Sequence, residues 1–268
     1  MRILHVLHQY LPDHVGGTEH YTHTLAQAQG CAGHQVTIFC RRSGAGQHLD
    51  RDESEGIRIY RASSGPFTTF RRFRSTLGNR FLASSLEQAM LETQPDLVHI
   101  HQLMGLPVDA LTAARPEAPL VVTLHDYWWV CANAQLITDY DHQVCAGPEW
   151  WINCARCGLA RAGMSAARTL APFAAPLFAW RAAIVEHLKP QVAAWIAPTD
   201  FVRNWHVEHG FPSSRIHVIP HGIDLPPVAA WSDSTQSGKG ARHFAYIGGL
   251  SPQKGVHVLI DALSLIHI

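Results

Sequence analysis

The chain has 268 residues, of which 47% are hydrophobic and 16% are charged, a composition typical of a globular protein with a substantial core. Its 21 Lys and Arg residues balance 21 Asp and Glu residues, so no net positive charge favours nucleic acid as a partner. The hydrophobic N-terminal segment is interrupted by His5, His8 and Asp13 and lacks a small-residue cleavage site, unlike a secretory signal. The expected location is the cytoplasm, where cysteines stay reduced.

Short hydrophobic segments alternate with helical patterns along most of the chain. Predicted strands cover residues 2–7, 34–40, 56–62, 95–101, 119–125, 192–198 and 216–222. Continuous hydrophobic strands separated by helices are typical of a parallel sheet covered on both faces. The sequence therefore predicts an α/β fold, with a doubly wound Rossmann-like parallel sheet over residues 1–224 and a cysteine-rich insertion at 131–157.

The composition changes after residue 224. Residues 225–242 are rich in Pro, Ser and Gly and are predicted to be a linker. A strand at 244–249 and a helix at 255–264 then form the first βα unit of a second domain, 243–268, which is expected to be truncated because one such unit buries no core of its own. The alternative is that this unit adds an edge to the first sheet.

Two glycines precede the first predicted helix, whose N-cap is assigned to Thr18. Gly16 and Gly17 can adopt positive φ and let the backbone approach a ligand, and the helix N-terminus beside Glu19 favours a phosphate. The alternative is an ordinary tight turn. A G-x-G-x-x-G pattern is absent, and Arg41 and Arg42 stand where a ribose-binding acid is expected, which argues against a nicotinamide or flavin enzyme.

His125 and Asp126 follow a buried strand, at the sheet edge where open α/β folds bind ligands. A histidine there can orient or deprotonate a hydroxyl, and a neighbouring carboxylate can bind a substrate hydroxyl. His101 is expected to line the same cleft. His99 and His101 share a face as a metal pair would, but the sequence offers no third ligand. The alternative for His125 is a structural histidine.

Four cysteines, Cys131, Cys145, Cys154 and Cys157, occur in one insertion that ends in C-x-x-C. This number and terminal spacing predict a structural zinc site, with unligated thiols or redox chemistry as alternatives. Four thiolates would leave no open coordination position, so the metal would not be catalytic.

Residues 70–81 combine Phe70, Phe73, Leu77 and Phe81 at helical spacing with four arginines. A basic amphipathic helix of this kind can contact an anionic membrane surface, here the inner face of the plasma membrane. The alternative is a helix packed on the sheet with a solvated basic rim. Near the end of the chain, Gly248 ends a predicted strand and Lys254 begins a helix, where a lysine can pair with a diphosphate.

Several segments in order, "VGGTEHYTHTLAQAQGCAGHQVTIF", "PDLVHIH", "TLHD", "APTDFVRNWHVEHGFPSSRIHVIPHGID" and "YIGGLSPQKGVHVLIDAL", resemble the family 4 glycosyltransferases of the GT-B fold. The resemblance covers almost the whole chain. It implies transfer of a sugar from a nucleotide-sugar donor to a hydroxyl of a sugar or lipid-linked acceptor, with retention and without a catalytic metal or cofactor. The segment "HDYWWVC" and the cysteines after it are similar to a subgroup acting on bacterial surface polysaccharides, so the product is expected to be a surface polysaccharide or glycolipid.

The resemblance also implies roles for single residues. Gly16, Gly17, Gly248 and Lys254 would bind the donor diphosphate, His125 would contact the sugar or the acceptor, and Glu19 and His101 would line the acceptor cleft. The chain departs from the family pattern in two ways. Gly249 occupies a position where an arginine is usual, and the family's two donor-site glutamates have no counterpart, since Glu208 is the last glutamate. The chain is therefore expected to be an inactive fragment. The alternatives are a non-catalytic acceptor- or membrane-binding module, or another GT-B enzyme such as a sugar-nucleotide epimerase.

Overall fold

The computed structural model describes residues 1–113, 118–222, 244–251 and 254–265. The predicted linker, 225–242, lies outside these residues. The strands are β1 (Arg2–Leu7), β2 (Gln35–Arg42), β3 (Gln47–Ser54), β4 (Ile57–Ser64), β5 (Leu97–Ile100), β6 (Leu120–Thr123), β7 (Val192–Ala197) and β8 (Ile216–Val218). The helices are α1 (Gly17–Cys31), α2 (Thr69–Leu77), α3 (Arg80–Thr93), α4 (Val108–Ala113), α5 (Ile152–Arg161), α6 (Ala167–Leu188), α7 (Asp200–Glu208) and α8 (Val256–Leu265).

The eight strands form one sheet in the order β3-β4-β2-β1-β5-β6-β7-β8, and every neighbouring pair except β3–β4 is parallel. Both faces are covered. Ile38 and Cys40 pack in one core cluster with Ala26 of α1, whereas Phe39 lies in another with Leu82 of α3. Alternate residues of β2 thus point to opposite cores, which confirms the predicted doubly wound α/β sheet.

The sequence pattern missed β3. This strand forms an antiparallel hairpin with β4 through Glu55 and Gly56, both with positive φ. Its sequence, QHLDRDES, carries one large hydrophobic residue, Leu49, because β3 is an exposed edge strand. Charged side chains on such an edge discourage pairing with other chains, and they also remove the alternation from which a strand is predicted.

The helix expected at 70–81 is two helices. α2 ends at Leu77, Gly78 follows, and the side chain of Asn79 caps α3 by accepting a hydrogen bond from the Leu82 N–H at 3.1 Å. Phe81 packs against the main core, whereas Phe70 is 69% exposed. The prediction of one continuous amphipathic face was therefore wrong, because the turn at Gly78 separates the two aromatic ends.

The last described segment lies outside the sheet. Residues 244–250 form no strand within the described chain, so the strand predicted at 244–249 is not observed, because it has no neighbouring strand to pair with. The predicted helix is present as α8, which buries none of its residues. Among the described residues the sheet ends at β8, so they do not show the alternative in which this unit extends the first sheet.

Among the helices described, none is both long and hydrophobic enough to cross a bilayer.

Candidate active site at the carboxyl edge of the sheet

The strand order reverses between β1 and β5. From β1 the chain proceeds outward to β2, whereas from β5 it proceeds in the opposite direction to β6 and β7. Crevices at such a switch point, beyond the carboxyl ends of the strands, are where open α/β sheets bind ligands. His101 directly follows β5 and His125 lies two residues beyond β6, so the sheet itself brings these two predicted residues together.

His125 is half-buried at this edge. Its Nε2 lies 3.0 Å from Nδ1 of His101, and its ring packs near Tyr21 and His221 at centroid distances of 5.0 and 5.1 Å. Burial lowers the pKa of His125 to about 3, with a smaller contribution from His221. The ring is therefore a neutral imidazole at physiological pH, able to accept a hydrogen bond at one nitrogen and donate at the other.

Asp126 is bound by its neighbours. Its Oδ1 accepts a hydrogen bond from the Trp128 N–H at 2.9 Å, and its Oδ2 accepts one from Nε2 of Gln102. Burial raises the pKa of Asp126 to about 6, although these hydrogen bonds and Arg181 counteract the rise. Both carboxylate oxygens thus already hold the turn after β6, so Asp126 has fewer lone pairs for a substrate than its position in the sequence suggests.

This geometry predicts the effect of exchanging the carboxylate of Asp126 and the amide of Gln102. Oε1 of Gln102 accepts the N–H groups of Leu103 and Met104, so the Gln102 amide cannot turn round. Asp126→Asn leaves one acceptor oxygen for two donors, so its NH₂ must face either the Gln102 NH₂ or the Trp128 N–H, and we expect it to destabilise the protein by about 1–3 kcal/mol. Adding Gln102→Glu restores an acceptor and should recover most of this loss in urea denaturation. Equal stability of single and double variants would contradict the assigned hydrogen bond.

A buried histidine cluster lies behind His125. One ligand-type nitrogen from each of His5, His99 and His101 lies within 4.8 Å of the others, because His5 of β1 is in register with His99 of β5. The expectation that no third ligand accompanies His99 and His101 was therefore wrong. The missed signal is a histidine on each of two buried strands, and only the strand order shows that they are neighbours.

The cluster predicts instability in acid. Burial lowers the pKa of His5 from 6.5 to about 4, so between these values the unfolded chain binds more protons than the native chain. Stability is then complete above pH 6.5 and is lost as the pH falls towards 4, by about 3 kcal/mol for His5 alone. Asp126 acts in the opposite direction, since its folded pKa is raised.

Because His8 and His125 have pKa values lowered to about 3 by burial, the histidines should outweigh Asp126. Urea midpoints measured from pH 7 to pH 4 should fall, and His5→Gln should make the fall shallower, whereas His20→Gln at an exposed position should leave it unchanged. A midpoint that stays constant or rises towards pH 4 would contradict this.

The N-terminus of α1 faces the same edge of the sheet. The N-cap is Gly16, not Thr18 as predicted, and its φ of −156° is extended, so neither glycine uses positive φ. A Cβ on Gly16 would lie 2.5 Å from Oε2 of Glu19. The glycine therefore leaves room for Glu19, which is buried and accepts a hydrogen bond from Gln9 at 2.7 Å.

Positively charged groups gather beside this edge. Arg41, at the end of β2, is 1% exposed, and its Nη1 donates to the Gly105 carbonyl at 3.1 Å while its Nε and Nη2 have no partner. Burial, together with the neighbouring Arg72 and Arg71, lowers the pKa of Arg41 to about 10. Nδ1 of the nearby His8 is also buried without a partner. Unpaired buried donors of this kind suit an anion.

The four cysteines of the insertion surround one small cavity of about 30 Å³. All are free thiols, and burial raises the pKa of Cys154 and Cys157 to about 12. Among the described residues it is the histidines, not the cysteines, that bring three ligand atoms within 4.8 Å. A metal would have to draw the thiols closer together, and structural zinc stays a prediction.

The zinc prediction is testable by elemental analysis of the purified protein. We expect one zinc per chain that is lost in Cys154→Ser, because three remaining ligands no longer close a tetrahedral site. Cys31→Ser removes an exposed cysteine outside the insertion and should keep the metal. Purified chain without stoichiometric metal would show that the thiols are unligated.

Gly248 and Lys254 lie in the separate last segment. Gly248 has φ of 156°, and the Tyr246 hydroxyl closes this turn by donating to the Gly249 carbonyl at 2.9 Å. Lys254 is exposed just before α8. Their predicted role in binding a diphosphate stays a prediction.

The fold defines a class of proteins: α/β proteins with an open, mostly parallel Rossmann-like sheet. Residues 15–226 match the family described as Glycosyltransferase Family 4. The chain therefore belongs to glycosyltransferase family 4.

Named relatives agree with this family. A D-inositol 3-phosphate glycosyltransferase of Jonesia denitrificans is 26% identical in an alignment of 266 residues that covers 94% of this chain and 54% of the relative. A glycogen synthase of Mycobacterium tuberculosis is 34% identical over 139 residues, 47% of this chain and 33% of the synthase. The chain thus spans about half the length of the first of these relatives and a third of the second.

A solved structure supports the fold. The Anabaena protein Alr3699/HepE, crystallised in complex with UDP-glucose, aligns with a TM-score of 0.54 and 19% identity over 99% of this chain and 57% of that protein. At this low identity, the structural similarity is evidence for the fold alone. It agrees with the predicted GT-B type of Rossmann-like sheet.

Proposed function

We propose that the protein is a retaining glycosyltransferase that transfers a sugar from a nucleotide sugar to an acceptor hydroxyl, and that the described sheet provides the acceptor side of its active site. The product would be a bacterial surface polysaccharide or glycolipid. Support comes from the family, from relatives named as glycosyltransferases, and from the Anabaena structure, which is a complex with UDP-glucose.

The observation that carries the proposal is the neutral imidazole of His125 at the switch point. A hydroxyl that attacks an anomeric carbon becomes more acidic as the bond forms, so a hydrogen-bond acceptor beside it lowers the barrier. His125 has the required nitrogen, and its depressed pKa keeps that nitrogen unprotonated at neutral pH. The N-terminus of α1 would offer backbone N–H groups to the donor diphosphate.

The test is transfer by the complete gene product. It would be incubated with a set of labelled nucleotide sugars and a bacterial lipid and saccharide extract, and the linkage formed would be assigned by NMR. Transfer with retention of anomeric configuration supports the proposal. Transfer with inversion, or hydrolysis of the donor without any acceptor product, would contradict it.

We further propose that the acceptor carries a phosphate group. Arg41 presents two buried donors, Nε and Nη2, without partners, and Arg72 lies against the same position, with its Cγ 3.3 Å from the point where a Cβ on Gly105 would be. Both Arg72 and His125 act electrostatically on His8, so these arginines are near the proposed reaction site. The relative from Jonesia denitrificans is named for a phosphorylated inositol.

The protein also presents a hydrophobic surface that suits a membrane. On α6, Leu170, Phe173, Leu177 and Trp180 recur at helical spacing and are exposed, with Phe173 81% exposed. α2 packs against this helix through Phe73 and Phe178, whose ring centroids are 4.5 Å apart. Phe70 and Leu177 line a shared cavity of about 200 Å³. Arginines on α2 flank this surface, so we propose that it rests on an anionic bilayer.

Vesicle sedimentation tests this contact. We expect binding to vesicles of phosphatidylcholine with phosphatidylglycerol, and weaker binding to phosphatidylcholine alone. Arg71→Gln should weaken binding to the anionic vesicles by about 1 kcal/mol, or roughly fivefold, whereas Arg58→Gln, an exposed arginine on β4, should not. Equal binding of the two variants, or none by the unmodified protein, would contradict a membrane contact through α2 and α6.

A further inference from the structure

Hydrogen bonds connect a glutamine on α1 to the proposed active-site histidine. Nε2 of His5 lies 2.7 Å from Oε1 of Gln29, and Nδ1 of His5 lies 2.9 Å from Nε2 of His101. Nδ1 of His101 in turn lies 3.0 Å from Nε2 of His125. We refer to Gln29, His5, His101 and His125 as the histidine chain.

The direction of these hydrogen bonds follows from the group at one end. A neutral imidazole has one N–H and one lone pair, and an amide oxygen can only accept. With the amide oxygen of Gln29 facing His5, as the structure places it, Nε2 of His5 carries the proton that is donated to Gln29, which leaves Nδ1 of His5 as an acceptor. His101 then donates from Nε2 and accepts at Nδ1.

The last bond is fixed in the same way. Because Nδ1 of His101 is an acceptor, His125 must donate from Nε2, and its remaining lone pair is on Nδ1. Burial keeps all three rings neutral, since it lowers the pKa of His5 and of His125 and holds that of His101 well below its usual range.

We propose that Gln29, acting through His5 and His101, fixes His125 as the Nε2–H tautomer and so makes Nδ1 the nitrogen that accepts a hydrogen bond from the acceptor hydroxyl. Gln29, His5 and His101 are positioning residues, since they act through His125. The use of Nδ1 by a substrate rests on the proposed glycosyltransferase function, but the tautomer itself does not.

A metal ion bound to His5, His99 and His101 is the competing arrangement, since three ligand atoms lie within 4.8 Å. A metal requires a free lone pair from each ligand. Nδ1 of His5 and Nε2 of His101 instead lie at hydrogen-bonding distance from each other, 2.9 Å, so one of them carries a proton. Nε2 of His99 is occupied separately, since it lies at hydrogen-bonding distance, 2.8 Å, from the Thr123 hydroxyl oxygen. The contacts favour the histidine chain.

The histidine chain is testable by NMR of protein labelled with ¹⁵N-histidine. Long-range ¹H–¹⁵N correlations distinguish a protonated ring nitrogen from an unprotonated one, and the His125 signals are identified by their loss in His125→Gln. We expect protonated Nε2 and unprotonated Nδ1 in His125. Gln29→Leu should move both ¹⁵N shifts towards the average of the two tautomers, whereas Gln29→Glu, which keeps an acceptor, should preserve the original shifts.

Gln27→Leu is the matched control, because Gln27 is on the same helix but donates to Glu55. A protonated Nδ1 in His125 would overturn the inference. His125 ¹⁵N chemical shifts that do not change in Gln29→Leu would also overturn it. So would a stoichiometric metal that persists in Cys154→Ser and is lost in His5→Gln.

Transfer assays on the same variants separate this inference from the proposed function. If Gln29→Leu shifts the tautomer but the complete gene product transfers no sugar, the histidine chain stands and the function fails. If the product is active, Gln29→Leu should lower the transfer rate severalfold and Gln29→Glu should restore it.

Discussion

His125→Gln is expected to lower the rate of sugar transfer on the order of 10²- to 10⁴-fold, the usual contribution of a positioned proton acceptor. Glutamine keeps an N–H that can donate to Nδ1 of His101, so the fold and the histidine cluster should persist. What is lost is the imidazole lone pair. His187→Gln, at an exposed position near the end of α6, controls for loss of any histidine and should leave the rate unchanged.

The pH dependence of transfer gives a second readout. Because burial lowers the pKa of His125 to about 3, this ring does not titrate between pH 5 and pH 8, and the rate should show no decline centred near 6.5 that is due to it. Asp126, with a pKa raised to about 6, can produce a change in this range. A change that persists in His125→Gln belongs to Asp126, and one that disappears would contradict a neutral His125.

The central strands β1, β2 and β5 could be predicted from sequence because they are buried on both faces and so need no alternation. The edge strand β3 could not be predicted, since its exposed side chains are mostly polar and charged and show no hydrophobic pattern. α6 shows a similar limit. Pro172 and Pro176 lie inside this helix, where proline normally ends one, and both are on its exposed side, so burial of the opposite side by Ala171, Ala175 and Phe178 outweighs the local preference.

The candidate site was only half predictable for a different reason. His101 and His125 could be found because each follows a hydrophobic strand. His5 could not, because its importance depends on β1 lying beside β5, and strand order is set by tertiary packing. Gln29 could not be predicted either, since no sequence motif distinguishes a half-buried glutamine on a helix from any other.

Arg41→Met is expected to stabilise the folded protein, by about 1–4 kcal/mol. A buried guanidinium loses its hydration, and Arg41 regains only one hydrogen bond, to Gly105, and a stacking contact with Phe67. Methionine fills a similar volume without a charge. Urea denaturation would measure the gain.

Arg61→Met is the matched control and should have the opposite sign. Arg61 lies on the adjacent strand β4 and is also buried, 5% exposed. Its Nε donates to Asp52 at 3.0 Å and its Nη2 donates to the Leu11 carbonyl at 2.7 Å. Removing it leaves the Leu11 carbonyl without this donor and breaks the ion pair with the half-exposed Asp52, so stability should fall by about 3 kcal/mol or less.

A group that destabilises its own fold needs another reason to be present, and stability is commonly sacrificed at binding sites. For Arg41 that reason would be the phosphate of the acceptor, whose oxygens could pair with Nε and Nη2. Arg41→Met should therefore raise the KM for a phosphorylated acceptor at least tenfold while raising stability. If Arg41→Met destabilises the protein as much as Arg61→Met, Arg41 is a structural residue and the phosphate site is elsewhere.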